Sequence, residues 1–178
     1  MKMNLRQLPP AGQPRSWAFT LVEILIVVVI LGILAAIAVP KLSNASQAAR
    51  ESSLKDDLRL FRTQITIYRS QHRDVFPGFP GGDVTQSPSE DAFLDQLTKF
   101  TDEFGSPSAT PTDTQRWGPY ITKMPPNPIN YKSDIKFLGP DDTLTSDDST
   151  GWLYQPSTGQ ILPNVIGTDS EGKSYSQY

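Results

Sequence analysis

The 178-residue chain contains no cysteine, which excludes disulfides, thiolate metal sites and cysteine nucleophiles together. It has one histidine, His72, so a two-histidine metal site is excluded and a Ser-His-Asp triad would have to be built around that single ring. No phosphate-binding glycine loop and no nucleophile elbow are present. Positive charge is scarce in the larger part of the chain. From Asp74 onward six basic residues face fifteen acidic ones, a local charge of −9. An acidic surface of this kind repels phosphates, so nucleic acid is not expected as a partner. These absences together point away from an enzyme. Long apolar runs are also scarce: there is one, Phe19–Val39, and the remainder is polar and Pro- and Gly-rich, suited to a domain with a small core.

That one run is 21 residues, roughly 30 Å as a helix, the thickness of a bilayer's hydrocarbon core. It is apolar apart from Thr20, Glu23 and Gly32. Ahead of it, Met1–Ala18 carries Lys2, Arg6 and Arg15 and no acid, which favours a cytoplasmic N-terminus. A secretory signal peptide would use Ala36-Ile37-Ala38 as its cleavage site. The run is longer than a usual signal core, however, and Glu23 sits where neither a signal peptide nor a plain anchor wants charge. An unpartnered charge in hydrocarbon costs at least several kcal/mol.

The stretch "AFTLVEILIVVVILGILAAIAVPKL" resembles the N-terminus of the type IV pilins and the pseudopilins of type II secretion, with their prepilin-type cleavage and methylation motif. The resemblance implies a leader, residues 1–18, cut by a prepilin peptidase between Ala18 and Phe19, and N-methylation of Phe19. Ala18 departs from the family's usual Gly. Residues 19–39 would then form the transmembrane and polymerisation helix, with Glu23 fifth in the mature chain. In assembled filaments of this family that acid neutralises a neighbour's N-terminal amine, a cation of reference pKa near 8. An ion pair cancels two costs that neither subunit cancels alone. Gly32 and Pro40 mark a helix break in the same picture: proline removes one helical hydrogen bond and glycine weakens the segment by roughly 1 kcal/mol.

Beyond Pro40, Leu54, Leu58, Phe61, Ile65 and Tyr68 recur at helical spacing and predict an amphipathic stalk over 40–74, ended by the Pro77 and Gly78–Gly82 cluster. His72 falls at the end of the same face and reads as packing or capping. Residues 75–178 form the head. In it, Ser87-Pro88-Ser89-Glu90 reads as a capping box opening a short helix that carries Phe93, Leu97, Phe100 and Phe104, with Gly105 ending it. Ser106–Gln115 reads as loop. Tyr131–Leu138, Trp152–Tyr154 and Gln160–Leu162 read as short antiparallel strands, the last two joined by the turn Pro156–Gly159. This is an α+β arrangement, and it resembles the type IV pilin fold: a long N-terminal helix with a small C-terminal antiparallel head.

The loop "FLGPDDTLTSDDSTGW" clusters Asp141, Asp142, Asp147 and Asp148, hard oxygen ligands of the kind calcium takes. Its Leu138-Gly139-Pro140-Asp141 opening resembles the calcium loop of major type II pseudopilins, and Ca2+ is the one cofactor the sequence suggests. The resemblance implies a prepilin subunit of a secretion pseudopilus that supports protein export. It would sit in a bacterial inner membrane with a cytoplasmic N-terminus and a periplasmic head. Its partners would be prepilin peptidase, other copies and other pseudopilins, the inner-membrane assembly platform and lipid. Many adhesive pilins close a C-terminal loop with a disulfide, which this chain lacks. The alternatives are a type IV pilus subunit or minor pilin serving adhesion, motility or DNA uptake, and a membrane-tethered hydrolase dependent on His72.

Overall fold

The computed structural model describes residues 20–178. They divide into two units, one ending at Leu42 and the other running from Ser43 to Tyr178, and helix α1, Leu21–Gln71, supplies residues to both. Every described residue of the first unit is exposed, including Leu31 and Ile33 at 57% and 58%. A helix apolar on all sides has no polar face to give to water, and this one has the length and composition to cross a membrane. The helix runs without interruption through Gly32 and Pro40, so the break expected there is not present in this structure. Proline deletes only one backbone hydrogen bond, and the surrounding Leu, Ile, Val and Ala residues offer no competing turn chemistry.

In the second unit, α1 turns Glu51, Leu54, Leu58, Phe61, Ile65 and Tyr68 inward, at spacings of three and four residues. Apart from Glu51, these are the residues of the apolar face that the helical spacing predicts, and they lie in the same compact unit as residues 75–178. The helix ends at Gln71, where Arg73 and Asp74 take positive φ values of 54° and 65° and turn the chain before the proline-glycine cluster is reached. The short helix α2 spans Glu90–Thr98. Its cap is Ser89, whose hydroxyl accepts from the Ala92 N–H at 3.2 Å, and not Ser87 as the capping box suggested. Pro88 therefore lies outside the helix, and the Glu90 carboxylate instead accepts the Ile135 N–H at 3.3 Å.

Phe100 and Phe104 leave the helical pattern. β1, Phe100–Thr101, pairs antiparallel with β2, Pro107–Ser108, inside the stretch read as loop, and Phe104 lies exposed in the turn between them. Thr101 explains the switch, because its N–H donates to the Trp117 carbonyl at 2.8 Å in place of a helical acceptor. The main sheet has the order β3 (Ile135–Phe137), β4 (Trp152–Gln155), β5 (Gln160–Pro163). β4 and β5 form the expected antiparallel hairpin, with Gly159 at φ 71° in its turn. β3 pairs with β4 in parallel, correcting the all-antiparallel expectation. The physical reason is the long 138–151 connection, enough chain to carry the backbone back to the start of the sheet, as a parallel pairing requires.

Sheet and helices close on one core. Phe61 meets Trp152 edge-on at 5.0 Å between ring centroids, and Phe93 meets Tyr154 at 4.5 Å. Both polar handles are satisfied: Trp152 Nε1 donates to the Pro125 carbonyl at 3.1 Å and the Tyr154 hydroxyl to the Pro77 carbonyl at 2.9 Å. Each fully buried aromatic or branched side chain contributes about 1.5–3 kcal/mol, with aromatic pairs adding about 1 kcal/mol.

Candidate assembly site

Glu23 lies in the first turn of α1. The Thr20 hydroxyl accepts the Glu23 N–H at 3.2 Å, so Thr20 caps the helix that carries the acid. A carboxylate near a helix N-terminus gains about 0.3–1 kcal/mol from the helix dipole, far less than its cost in hydrocarbon. Among the described residues no cation lies within ion-pair distance of Glu23. Ala18 and Phe19, the residues of the expected cut and of N-methylation, lie outside the described residues, as does the leader.

His72 is 2% exposed and fully engaged. Its Nδ1 lies 2.7 Å from the Tyr68 carbonyl, which can only accept, so Nδ1 carries the proton. Nε2, 2.8 Å from the Thr101 hydroxyl, then accepts. The ring also stacks on Tyr68 at 3.7 Å. Burial pushes the His72 pKa below its ordinary value, so the ring is neutral near pH 7. No serine shares its nitrogens, and the arrangement is one of packing.

The four loop acids are not brought together. Asp147 pairs with Lys136 at 2.6 Å, and hydrogen bonds from Lys136, Ser149 and Asn164 hold its carboxyl well below the usual range. Asp142 accepts the Gly139 N–H at 2.7 Å and Asp148 accepts from the Asn130 amide at 2.9 Å. Among the described residues no three carboxylates or histidines form a cluster that could hold a metal. The loop is shaped instead by asparagines that the sequence does not single out. Asn164, fully buried, accepts from the N–H groups of Asp147 and Asp148 and donates to Asp147, Ser149 and Thr150. Asn127, equally buried, donates to the Gly151 carbonyl at 2.8 Å.

A second feature unannounced in the sequence is Glu51, 4% exposed on the inner face of α1. Its carboxylate accepts from the Gln47 amide at 2.9 Å, the Ser170 N–H at 3.0 Å, the Ser170 hydroxyl at 2.7 Å and the Tyr175 hydroxyl at 3.3 Å. Desolvation raises its pKa, but the hydrogen bonds from Ser170, Gln47 and Tyr175 outweigh that and leave it below the ordinary value. Glu51 thus clasps the C-terminal segment to α1. The helical period extends back to it, since Glu51 lies three residues before Leu54 on the same face, but its donors Ser170 and Tyr175 lie far away in the sequence.

No family model matches the chain. Among curated proteins it is similar to type II secretion system core protein G of Pectobacterium carotovorum subsp. carotovorum, 30% identical over 149 residues that cover 77% of this chain and 84% of that protein. It is 28% identical to the core protein G of Dickeya chrysanthemi, over 77% of this chain and 86% of that one. It is also 39% identical to the type IV major pilin protein PilA of Myxococcus xanthus, over 61 residues that cover 34% of this chain and 28% of that pilin. No solved structure matches.

Proposed function

This chain belongs to the type II secretion system core protein G family, and from that premise we propose that it is a prepilin, matured and then assembled into a secretion pseudopilus that supports protein export. The observation that carries the reading is the segment Leu21–Val39: exposed on all sides, apolar, and interrupted by one acid with no cation near it among the described residues. Lipid can cover the apolar surface in the monomer and other copies can cover it in a filament. Neither lipid nor an apolar neighbour can neutralise Glu23.

The group that can is the α-amine of Phe19 on a neighbouring copy, which exists only once prepilin peptidase has cut after Ala18. Methylation keeps the amine's charge. Maturation and polymerisation are thereby linked through one ion pair. The subunit sits in the inner membrane with its head on the periplasmic side until the assembly platform extracts it, and joins other copies and other pseudopilins. Its role is structural and not catalytic. Glu23→Ala tests this: the variant is expected to be cleaved normally, to accumulate in the inner membrane and to form no sedimentable filaments. Normal filaments from Glu23→Ala would remove Glu23 from the role.

A second reading, a type IV pilus subunit, is favoured by the 61-residue similarity to a major pilin, which covers only a third of this chain. Deleting the gene separates the two: loss of exported protein supports the pseudopilus, and loss of surface filaments with intact export supports the pilus.

A further inference from the structure

One side of α1 within the second unit carries Lys55, Arg59, Arg62, Thr66 and Arg69, at spacings of four, three, four and three residues, and so presents four cations in a row. The nearest acids of the same stretch, Asp56 and Asp57, project from other sides of the helix. Beside this row, α1 and β5 form an open groove of about 480 Å3, lined by Arg62, Thr66, Arg69, Gln160 and Tyr178 among others. The Arg62 guanidinium reaches into it and donates to the Ile161 carbonyl at 3.2 Å and to a main-chain oxygen of Tyr178 at 2.6 Å. These acceptors orient the guanidinium, and no acidic side chain balances it: the ion pairs among the described residues are Arg69–Asp74, Lys99–Asp95 and Lys136–Asp147. Arg59 is likewise without one. Arg69, in its pair with Asp74, stays 40% exposed.

The same chain presents the complement. The loop between Gly139 and Ser149 contains four acids and no base, and Asp141, Asp142 and Asp148 are exposed. Lys136 neutralises only Asp147. The loop is held ready, because the Gln155 amide donates to the carbonyls of Gly139, Pro140 and Asp142 while Asn164 anchors its far end. A shaped acidic loop loses little conformational freedom on binding.

We propose that the groove between α1 and β5 receives the Gly139–Ser149 loop of a second copy, with Arg59, Arg62 and Arg69 facing Asp141, Asp142 and Asp148. This rests on the assembly reading above and deepens it. The two patches differ and lie on one chain, so the contact is head-to-tail, and such contacts generate open helical assemblies rather than closed dimers. Complementary charge sets register and partner choice more than raw affinity, so this contact would position subunits that the apolar helices hold together.

The absence of cysteine makes the test clean. The full chain carrying both Thr66→Cys and Thr143→Cys is expressed with its assembly system, and sheared filaments are oxidised in buffer with chelator, so that the loop keeps its charge. A ladder of disulfide-linked multimers is expected from this pair, and none from Thr66→Cys with Thr112→Cys. Arg59→Glu, at a side chain with no partner to lose within its own copy, should cut the ladder about fivefold, the scale of one exposed charge contact. Asp141→Arg added to Arg59→Glu should restore it, and limited proteolysis identical to wild type shows that the variants fold. Sedimentable filaments without the ladder overturn the proposal and leave the assembly reading intact. No filaments from the parent chain sink both. A ladder indifferent to Arg59→Glu and to high salt overturns the charge recognition, and links only to a different protein overturn the second-copy occupant.

Discussion

Truncating Glu51 should loosen the C-terminal segment from α1 more than any sequence pattern would suggest. Glu51→Ala leaves four donors without their acceptor. The Gln47 amide and the Ser170 hydroxyl belong to exposed residues and can turn to water. The Ser170 N–H is fixed in the backbone and the Tyr175 hydroxyl belongs to a residue only 5% exposed, so each loses its partner at about 1–3 kcal/mol. The expected loss is therefore about 2–6 kcal/mol, and at roughly 3–4 °C per kcal/mol the melting temperature should fall by on the order of 10 °C. The assay is near-ultraviolet circular dichroism of the full chain in detergent, with hydrogen exchange at residues 167–178 as the local readout. The pH dependence carries an independent sign. Because the folded-state pKa of Glu51 lies below its ordinary value of 4.5, its contribution is complete above that value and is lost as pH falls through the folded-state pKa. Wild type should therefore lose stability on acidification below 4.5 more steeply than Glu51→Ala. Equal melting temperatures at pH 7 and parallel acid slopes would refute the assignment.

Other outcomes follow from single sites. The mature chain is expected to begin at Phe19 with a methylated amine, and intact-mass spectrometry showing a start at Val39 would instead mean signal-peptidase cleavage. Ala18→Gly should speed processing or leave it unchanged in a pulse-chase, and slower processing would count against the assigned cut. Gly159→Ala places a side chain at φ 71° with its Cβ against the Phe76 ring, and should destabilise by about 1–3 kcal/mol in a denaturant titration. An unchanged midpoint would show that the turn is not constrained as drawn. We propose that calcium at Asp141, Asp142, Asp147 and Asp148 is an alternative to the arginine contact, taken up only when the loop rearranges and the Lys136–Asp147 pair opens. Millimolar calcium should then raise the melting temperature, and raise it further in Lys136→Ala; identical melting with chelator in both chains would leave the loop as surface charge.

The parts of this fold legible in the sequence are those whose signal is periodic and local. Leu54 through Tyr68 repeat over four turns, and tertiary packing only has to accept the face they define. The β4–β5 hairpin is local too, because Pro156–Gly159 lies between its strands. The errors fall where a local pattern met a distant partner. Phe100 and Phe104 continue the spacing of Phe93 and Leu97, yet Thr101 finds an acceptor at Trp117, sixteen residues on, and the helix stops at Thr98. The direction of β3 could not be read from its composition, since a strand has the same alternation whichever way it runs.

Charge divides along the same line. Glu23 stands out because its surroundings, eighteen apolar residues, make any acid conspicuous. Glu51 is inconspicuous because it sits in a polar stretch, Gln47–Ser53, where an acid is ordinary, and its partners Ser170 and Tyr175 lie 119 and 124 residues away. The cationic row at Lys55, Arg59, Arg62 and Arg69 is intermediate. Helical spacing places those side chains on one side, but only β5 and Tyr178 turn that side into a groove, and among the described residues only Asp74, on Arg69, forms an ion pair with the row. The same question, what neutralises each charge, is answered within the chain for Glu51 by its own donors; for Glu23 and the cationic row, a second copy is the answer we propose. Subunits of an open filament differ from self-contained globular domains in this respect, because part of their electrostatic balance is completed only by the next subunit.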